Sequence, residues 1–361
     1  MRDETPVTRL RAAAFRVPTD GPEADGTLAW DSTVIVVVNV EAGGCAGLGY
    51  TYGAAEGASL INGTLAPVVS GQDIWDTPSA HERMRQQVRN MGASGIAATA
   101  ISAVDVALWD VKARLLDLPL ARLLGMRRPT VPVYGSGGFT NYDNVRLRDQ
   151  LAGWVAQGCQ WVKIKVGTDP DRDPQRMAAA REAIGDAGLF IDANGALSSK
   201  PALQLARRAA DAGVRWFEEP VSSDDPAGLS WLRDRMPASI EIAAGEYAWN
   251  LDDIRRTLDT VDVQQADATR CGGVTGFLAA GTLCDAHHVD FSGHCAPSLH
   301  CHVACAVPRL RHLEYFHDHA RLEAMLFDGA AEIRDGRIAP DLTQPGLGLT
   351  LKAADAARFA L

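Results

Sequence analysis

The residues of this sequence that could do chemistry stand singly at the ends of short apolar runs. Successive members of the set are separated by 27, 26, 28, 21, 27 and 20 residues, obtained by subtracting their positions. Because each interval is about the length of one strand with one helix, the spacing predicts that consecutive βα units bring these side chains to one place. The set comprises Lys165, Asp192, Glu218, Glu246, Asp267, His294 and Glu314.

Three members of the set, Asp192, Glu218 and Glu246, are carboxylates at consecutive run ends. Carboxylates packed together repel one another unless a cation joins them, and oxygen-only ligands suit a hard divalent ion. Mg²⁺ accepts a few carboxylates while keeping positions for water or substrate. Any one of these residues alone would be interpreted as a capping or salt-bridging group. Three in register predict a magnesium site.

Two lysines, Lys163 and Lys165, lie one residue apart in the run WVKIKVGTD. Alternation along a strand places both ammonium groups on one face, where like charges are unfavourable. If that face looks toward the magnesium site, burial and nearby positive charge lower the pKa of Lys165 toward the range of a general base. Lys163 is then the nearby charge. The alternative is a pair of lysines that only neutralise carboxylates.

Asp267 and His294 end two successive runs and are expected to form a hydrogen bond with each other. A carboxylate bonded to an imidazole fixes the tautomer of the ring and raises its basicity, which makes the pair a candidate acid/base group. A histidine alone would more often be structural. Glu314 ends the next run and is a candidate hydrogen-bond partner for a substrate oxygen.

The fold class follows from the way apolar runs alternate with amphipathic segments. Eight short runs separated by seven helix-like segments predict a closed parallel barrel more than an open sheet. Such barrels perform their chemistry at the carboxyl ends of the strands, where the polar residues fall. The runs are 131–138, 161–167, 189–194, 214–220, 240–246, 261–267, 289–294 and 312–316.

The predicted barrel occupies residues 126–320 and lies between two other regions. Residues 1–125 have an α+β pattern, and residues 321–361 lack a further βα unit and are expected to fold back onto the N-terminal domain. The N-terminal pattern has predicted strands at 7–16, 34–40 and 46–50 and predicted helices at 58–70, 79–90 and 97–117.

Composition excludes several classes of function. A hydrophobic content of 47% with 22% charged residues is typical of soluble globular proteins. The net charge of −10 argues against binding to nucleic acid or to anionic membranes, and the apolar run at 34–40 is far too short to span a bilayer. Seven cysteines without a CxxC motif, and a charged N-terminus without a signal peptide, lead us to expect a cytoplasmic protein with free thiols.

Six short motifs occur in a fixed order along the chain. Their order and spacing resemble the mandelate racemase subgroup of the enolase superfamily over nearly the whole length. The resemblance implies a modified TIM barrel, (β/α)7β, with an N-terminal α+β capping domain that the C-terminal segment completes. The motifs are KIK at 163–165, DAN at 192–194, EEP at 218–220, GE at 245–246, DATRCGGVTG at 267–276 and SGH at 292–294.

The same resemblance implies an α-proton abstraction that gives an enediolate stabilised by a metal and a lysine. It favours dehydration of an acid sugar to a 2-keto-3-deoxy acid, with racemisation or epimerisation of a 2-hydroxy acid as the alternative. The implied roles are Mg²⁺ ligation by Asp192, Glu218 and Glu246, acid/base catalysis by Lys165 and the His294–Asp267 pair, support of Lys165 by Lys163, and contacts near the substrate carboxylate or metal by Asn194 and Glu314.

Substrate selection is expected to lie in two loops of the capping domain, at 17–31 and 47–55. Trp30, Tyr50 and Tyr52 are candidates for lining the pocket, although ordinary packing between domains explains them equally well. The expected partner is a small carboxylate substrate, and we expect a homo-oligomer.

The sequence allows three other interpretations. His294, His300 and His302 with a cysteine are a conceivable zinc site, but helix-start residues at the barrel mouth explain the last two histidines better. A zinc hydrolase on a similar barrel would need an HxH motif on the first strand, which VPVYGSGG lacks. A scaffold protein without activity would have lost ligands or bases, and the sequence retains them all.

Overall fold

The computed structural model describes residues 4–361, which begin with an antiparallel sheet in the order β1-β2-β3. Strand β2 contains the β-branched run VIVVVNV, and such residues favour strands. Gly43 and Gly44 both have positive φ in the turn between β2 and β3, a conformation that glycine adopts without strain. The strands are β1 (Val7–Ala24), β2 (Ala29–Ala42) and β3 (Cys45–Tyr52).

Helices follow the sheet and cover one of its faces. The longest, α4, packs directly on β3 because that strand has glycines at the contact. A Cβ atom on Gly49 would lie 2.1 Å from the carbonyl oxygen of Ala103. The helices are α1 (Glu56–Leu60), a π-helical turn (Ile61–Leu65), α2 (Ala66–Val69), a 3₁₀ turn (Ile74–Asp76), α3 (Thr77–Val88), α4 (Ile96–Leu115) and α5 (Leu120–Leu123).

The expected barrel is confirmed, because eight parallel strands close when β11 pairs with β4. The strands are β4 (Val131–Gly137), β5 (Trp161–Lys165), β6 (Gly188–Asp192), β7 (Val214–Glu218), β8 (Glu241–Ala244), β9 (Val263–Ala266), β10 (Asp290–Gly293) and β11 (Leu310–Phe316). The connecting helices are α6 (Asn144–Ala156), α7 (Asp173–Ile184), α8 (Ser199–Asp211), α9 (Pro226–Arg233), α10 (Leu251–Thr257), α11 (Gly273–Ala286) and α12 (Pro297–Val303).

The strand register aligns the polar residues at one end of the barrel. Lys165 pairs with Asp192 across β5 and β6, and Asp192 pairs with Glu218 across β6 and β7. Below them the barrel interior is filled by buried aromatic side chains, with Phe190 and Trp216 stacked at a centroid distance of 5.1 Å. The charged groups therefore stand on an apolar floor that keeps water out from below.

The C-terminal segment returns to the N-terminal domain, as expected. The amide of Leu361 donates to the carbonyl of Ala14, and the amide of Leu347 donates to the buried carboxylate of Asp110 on α4. One strand was not expected. It is β13 (Arg337–Ile338), which adds to the barrel by pairing antiparallel with β4. The elements are α13 (His317–Leu326), β12 (Phe327–Asp328), β13 (Arg337–Ile338), β14 (Thr350–Leu351), α14 (Ala353–Ala356) and a 3₁₀ turn (Ala357–Phe359).

Two further findings concern the described residues. All seven cysteines are free thiols. Within residues 4–361, every helix is too short or too polar to cross a lipid bilayer.

The contact between β3 and α4 gives a prediction about stability. Gly49→Ala should destabilise the protein by roughly 2 kcal/mol or more, since the new methyl group meets backbone atoms that must move apart. Gly153→Ala is the matched control. It is exposed in the last turn of α6 with open space around it, and alanine is favoured over glycine in a helix by up to about 1 kcal/mol. Urea unfolding of both variants measures the difference, and equal midpoints would contradict the close packing.

Candidate active site

A cavity of about 280 Å³ lies between the carboxyl ends of the barrel strands and the N-terminal domain. Barrel and capping domain both contribute to its wall, so the site exists only when the two are packed together. Side chains predicted from the sequence are prominent in the wall. Its polar and aromatic lining includes Trp30, Thr33, Tyr52, Lys165, Asn194, Glu246, Tyr247, Arg270, His294, Cys295, Glu314, Phe316 and His319.

Asp192, Glu218 and Glu246 are brought together at this end of the barrel. One oxygen from each lies within 4.8 Å of the others, and all three side chains are buried. Burial raises the pKa of Glu218 to about 8 even though Lys163 acts in the opposite direction. Oε2 of Glu246 is buried and lies 3.2 Å from Nε2 of His294. This excess of buried oxygen ligands fits a hard divalent cation.

Lys163 is completely buried and lies within ion-pair distance of three carboxylates. Its ammonium nitrogen lies 2.5 Å from Glu218, 2.8 Å from Glu314 and 3.3 Å from Asp192. Burial alone would lower the pKa of Lys163, but these carboxylates raise it well above its ordinary value. Lys163 is therefore a permanent positive charge beneath the site.

Lys165 lies above Lys163 on the same face of β5 and reaches the cavity. Its ammonium nitrogen donates to Asp192 at 2.6 Å and to Asn194 at 3.0 Å. The lowering of its pKa that is expected beside a bound cation stays a prediction. Burial and Lys163 oppose the charged form, but Asp192 outweighs them and the pKa of Lys165 lies above its ordinary value. The sequence interpretation omitted the direct bond to Asp192.

Asp267 and His294 form the expected pair, with 2.8 Å between Oδ2 and Nδ1. The other oxygen of Asp267 accepts from the amide of Thr269, which orients the carboxylate. Burial acts against the protonated form of His294, but Cys295, Glu246, Glu314 and Asp267 raise its pKa well above the ordinary value. Burial also raises the pKa of the Cys295 thiol, so the carboxylates supply the negative charge around the ring.

Glu314 connects the two halves of the site. Oε1 accepts from the hydroxyl of Ser136 at 2.5 Å and pairs with Lys163, while Oε2 accepts from the thiol of Cys295 at 3.3 Å. Cys295 in turn lies 3.1 Å from Nε2 of His294. Neither Ser136 nor Cys295 was among the residues predicted from the sequence. The only sequence signal for Cys295 is its position directly after His294.

The capping-domain residues divide into two groups. Trp30 and Tyr52 line the cavity, and Tyr52 stacks on His319 with 3.5 Å between ring centroids. Tyr50 is fully buried behind the wall, where its hydroxyl donates to Glu323 at 2.7 Å. The structure thus places Tyr50 among packing residues, and its expected contact with substrate has no support from this geometry.

The two stretches expected to be loops are largely strand. Residues 17–24 and 29–31 form a β-hairpin instead of a loop, and 47–52 lie in β3. The hairpin tip rests on the barrel, since a Cβ atom at Gly26 would lie 2.3 Å from the carbonyl of Ala193. Pairing with β2 overrides the turn-forming Pro, Gly and Asp residues of this segment.

His300 and His302 face away from the cavity, in agreement with the preferred structural interpretation. Nε2 of His300 accepts from the amide of Ala268 at 2.9 Å, and Nδ1 of His302 lies 3.4 Å from the amide of Ala121. Both rings are buried, and burial lowers the pKa of each. They cannot join His294 in one zinc site.

A second cavity of about 730 Å³ adjoins the first on the side of β7 and β8. Asn194 and Tyr247 line both cavities. Glu219 also reaches the second one, where its Oε1 is buried without a hydrogen-bond donor in the described part of the chain. Burial and the carboxylates of Glu246 and Asp192 raise the pKa of Glu219 well above its ordinary value.

A (β/α)7β barrel with a capping domain, three clustered carboxylates, a lysine and an Asp–His pair defines an enolase-type enzyme. Comparison of the sequence with family profiles agrees. Residues 15–125 match the mandelate racemase / muconate lactonizing enzyme N-terminal domain, and residues 146–356 match the enolase C-terminal domain-like family. The chain belongs to the mandelate racemase/muconate lactonizing enzyme family.

Curated relatives cover most of the chain. A 3,6-anhydro-alpha-L-galactonate cycloisomerase of Streptomyces coelicolor is 31% identical over 98% of this chain and 99% of its own. An L-talarate/galactarate dehydratase of Salmonella typhimurium is 32% identical over 85% of this chain and 78% of its own.

Solved structures show the same architecture. A mandelate racemase/muconate lactonizing enzyme-like protein from Rubrobacter xylanophilus has 51% identity and a TM-score of 0.97, covering 99% of this chain and 100% of its own. A racemase from Streptomyces coelicolor, solved with bound magnesium, has 29% identity and a TM-score of 0.92 over 98% of this chain and 100% of its own.

The carboxylate cluster gives a prediction about Mg²⁺ binding. Glu246→Gln should weaken Mg²⁺ affinity at least 10-fold, since it removes one charged oxygen ligand of three. Glu241→Gln is the matched control, because Glu241 begins the same strand and pairs with Arg311 on the surface. Calorimetric titration of the folded proteins with Mg²⁺ measures both. Equal affinities in the two variants would remove Glu246 from the metal site.

Proposed function

We propose that this protein is a Mg²⁺-dependent enzyme that removes the proton α to a carboxylate and then dehydrates an acid sugar. The observation that carries this proposal is the placing of Lys165 and the Asp267–His294 pair around one cavity beside three carboxylates. Two of the relatives are an L-talarate/galactarate dehydratase and, at 29% identity over 83% of this chain, an arabinonate dehydratase.

Asp192, Glu218 and Glu246 are the residues that would hold Mg²⁺. When bound, the cation supplies positive charge that stabilises the enediolate and so makes a weak carbon acid easier to deprotonate. Lys163 contributes a second positive charge from below, held in place by Glu218 and Glu314. Both charges are fixed before the reaction begins, so little reorganisation is needed when negative charge develops.

Lys165 and His294 are proposed to exchange protons with the substrate from two sides. Going by the shorter way round the barrel, β5 and β10 are separated by β4 and β11, so the two side chains approach from different directions. Lys165 is suited to take the α-proton once a cation neutralises Asp192, its main carboxylate partner. His294, whose pKa the surrounding carboxylates raise, is placed to donate a proton to a departing β-hydroxyl.

The shape of the site supports an extended polar substrate. A carboxylate anchored near Asn194 leaves the rest of the molecule beside Trp30 and Tyr52. Since Asn194 and Tyr247 line both cavities, a chain of several hydroxylated carbons can continue from the first into the second.

The second candidate is racemisation or epimerisation of a 2-hydroxy acid. The same two acid/base groups can return the proton to the opposite face if no β-hydroxyl leaves. A solved racemase from Streptomyces coelicolor resembles the chain closely in fold, as reported above. The homo-oligomeric state and the cytoplasmic location expected from the sequence stay predictions.

The deciding experiment is a screen of mono- and diacid sugars with Mg²⁺, with 2-keto acid formation as the readout. Product formation supports dehydration, and the configuration of accepted sugars shows which base removes the α-proton. In D₂O, exchange of the α-proton without keto acid would instead support racemisation or epimerisation. Absence of both product and exchange across the panel would contradict the proposal.

Two substitutions test the roles of the acid/base groups. Lys165→Ala and His294→Asn should each lower α-proton exchange in at least one direction by about 10²–10⁴-fold, the usual contribution of a positioned acid or base. Lys200→Ala and His287→Asn are matched surface controls. Circular dichroism checks that the fold is intact, and full turnover in both active-site variants would rule out this mechanism.

A further inference from the structure

A second group of metal-binding atoms lies beside the carboxylate cluster and differs from it in chemistry. It consists of Nε2 of His294, Sγ of Cys295 and Oε2 of Glu314. The thiol sulfur lies 3.1 Å from the imidazole nitrogen and 3.3 Å from the carboxylate oxygen. The imidazole nitrogen and the carboxylate oxygen are 3.5 Å apart. All three side chains are buried, and all three line the cavity. We refer to them as the His–Cys–Glu group.

Two of these atoms belong to side chains whose other polar atom is already held by a neighbour. Asp267 bonds Nδ1 of His294, which leaves Nε2 facing the group. Ser136 and Lys163 occupy Oε1 of Glu314, which leaves Oε2. A carboxylate behind a histidine is the arrangement that orients zinc-binding histidines in proteins. The ligands are thus directed by their neighbours and need no new partners.

The separations suit a tetrahedral zinc ion. With bonds of about 2.0–2.3 Å to nitrogen, sulfur and oxygen, tetrahedral ligand atoms lie about 3.4–3.6 Å apart. The observed distances require the atoms to move outward by a few tenths of an ångström at most. Glu246, whose Oε2 lies 3.2 Å from the same Nε2, belongs to the carboxylate cluster and is not needed.

Ligand type separates the two sites. Thiolate and imidazole ligands select zinc and other thiophilic ions, whereas the all-oxygen cluster of Asp192, Glu218 and Glu246 suits Mg²⁺. The structure therefore offers two adjacent cation sites of opposite preference beside one cavity. Zinc is therefore expected to prefer the His–Cys–Glu group even when Mg²⁺ occupies the carboxylate cluster.

We propose that Zn²⁺ binds to His294, Cys295 and Glu314 and thereby inhibits the enzyme. On binding, the thiol of Cys295 and Nε2 of His294 each release a proton to solvent. The sulfur then coordinates as thiolate, and Nε2 coordinates through the lone pair that its proton leaves. A lone pair bound to zinc can neither accept a proton nor carry one. The inhibition rests on the role proposed above for His294, whereas the binding of zinc does not.

The binding test uses the whole protein saturated with Mg²⁺, titrated with Zn²⁺ by calorimetry. We expect one zinc per chain in the unaltered protein. Cys295→Ala and Cys295→Ser should each weaken zinc binding by more than about 100-fold, because loss of a partner behind a ligand already costs about 10–100-fold. Cys45→Ala is the matched control, since Cys45 is half-buried at the start of β3 and the other six cysteines are buried.

Co²⁺ provides a spectroscopic check under the same conditions. The unaltered protein and Cys45→Ala should show a thiolate-to-cobalt charge-transfer band, and both Cys295 variants should lack it. Undiminished zinc binding in both Cys295 variants, or a cobalt band that persists in them, would overturn the site.

The inhibition is measured separately, as the rate with zinc divided by the rate of the same variant without it. The unaltered enzyme should lose activity as the zinc site fills, and Cys295→Ala should resist at the same concentrations. If zinc binds at the group but leaves the rate unchanged, the site stands and the inhibitory role fails, together with the acid/base role of His294. If no substrate is found, the calorimetric and cobalt results still decide whether the site exists.

Discussion

The buried ammonium group of Lys163 is the interaction on which the rest of the site depends. Three carboxylates converge on it, and none could be buried cheaply without an opposite charge. Removing one member of such a group leaves the others unpaired, which is why isolated buried charges are so costly. Lys163 therefore fixes one oxygen of Glu218 and one of Glu314. The other oxygen of Glu218 accepts from the ring N–H of Trp216, and the other oxygen of Glu314 faces the cavity.

This constraint explains the two lysines of KIK. Strand alternation directs Ile164 outward into the apolar layer between barrel and helices, and directs Lys163 and Lys165 inward. The lower lysine supplies the charge that permits the carboxylates to be buried, and the upper one reaches the cavity. The structure shows the neutralising role for Lys163, and the general-base role of Lys165 stays a proposal.

The sequence predicted the barrel well because the strongest signals were local. Apolar runs that end in one polar residue, at intervals of one βα unit, determine both the strand order and which end of the barrel is active. Features that depend on a distant partner were missed. Strand β13 consists of only Arg337 and Ile338 and exists because β4 offers an edge at that point.

The site residues also divide into those with a local sequence signal and those whose position depends on distant contacts. Asp192, Asp267 and His294 were found because their chemistry and spacing repeat around the barrel. Cys295 was missed because its place in the cavity depends on a left-handed backbone conformation, with φ of 53°, that a non-glycine residue seldom adopts. The direct bond from Lys165 to Asp192 was missed because it depends on rotamer and distance, which spacing does not reveal.

The capping domain is held on the barrel by a buried hydrogen-bond cluster around Glu323. Its carboxylate accepts from the hydroxyls of Tyr50 and Tyr52 and from the amide of Ser298, so it joins β3, α12 and α13. Tyr52 is consequently fixed from behind while its ring faces the cavity on His319. The hydrogen bonds that fix this part of the wall are the same ones that hold the capping domain on the barrel.

The β-hairpin of residues 17–24 and 29–31 forms another part of the wall and is held by different contacts. Trp30 is only partly buried, donates its ring N–H to Glu23 and packs edge-on against Phe139 at 5.6 Å. The hairpin tip contacts the barrel at Gly26 and through the carbonyls of Ala24 and Asp25, which accept from Thr140 and Thr168. A change at Trp30 would remove one hydrogen bond from the buried Glu23, whereas a change at Tyr52 would disturb the cluster that joins β3, α12 and α13. We therefore expect the hairpin to vary with the substrate more readily than the opposite wall, which holds the domains together.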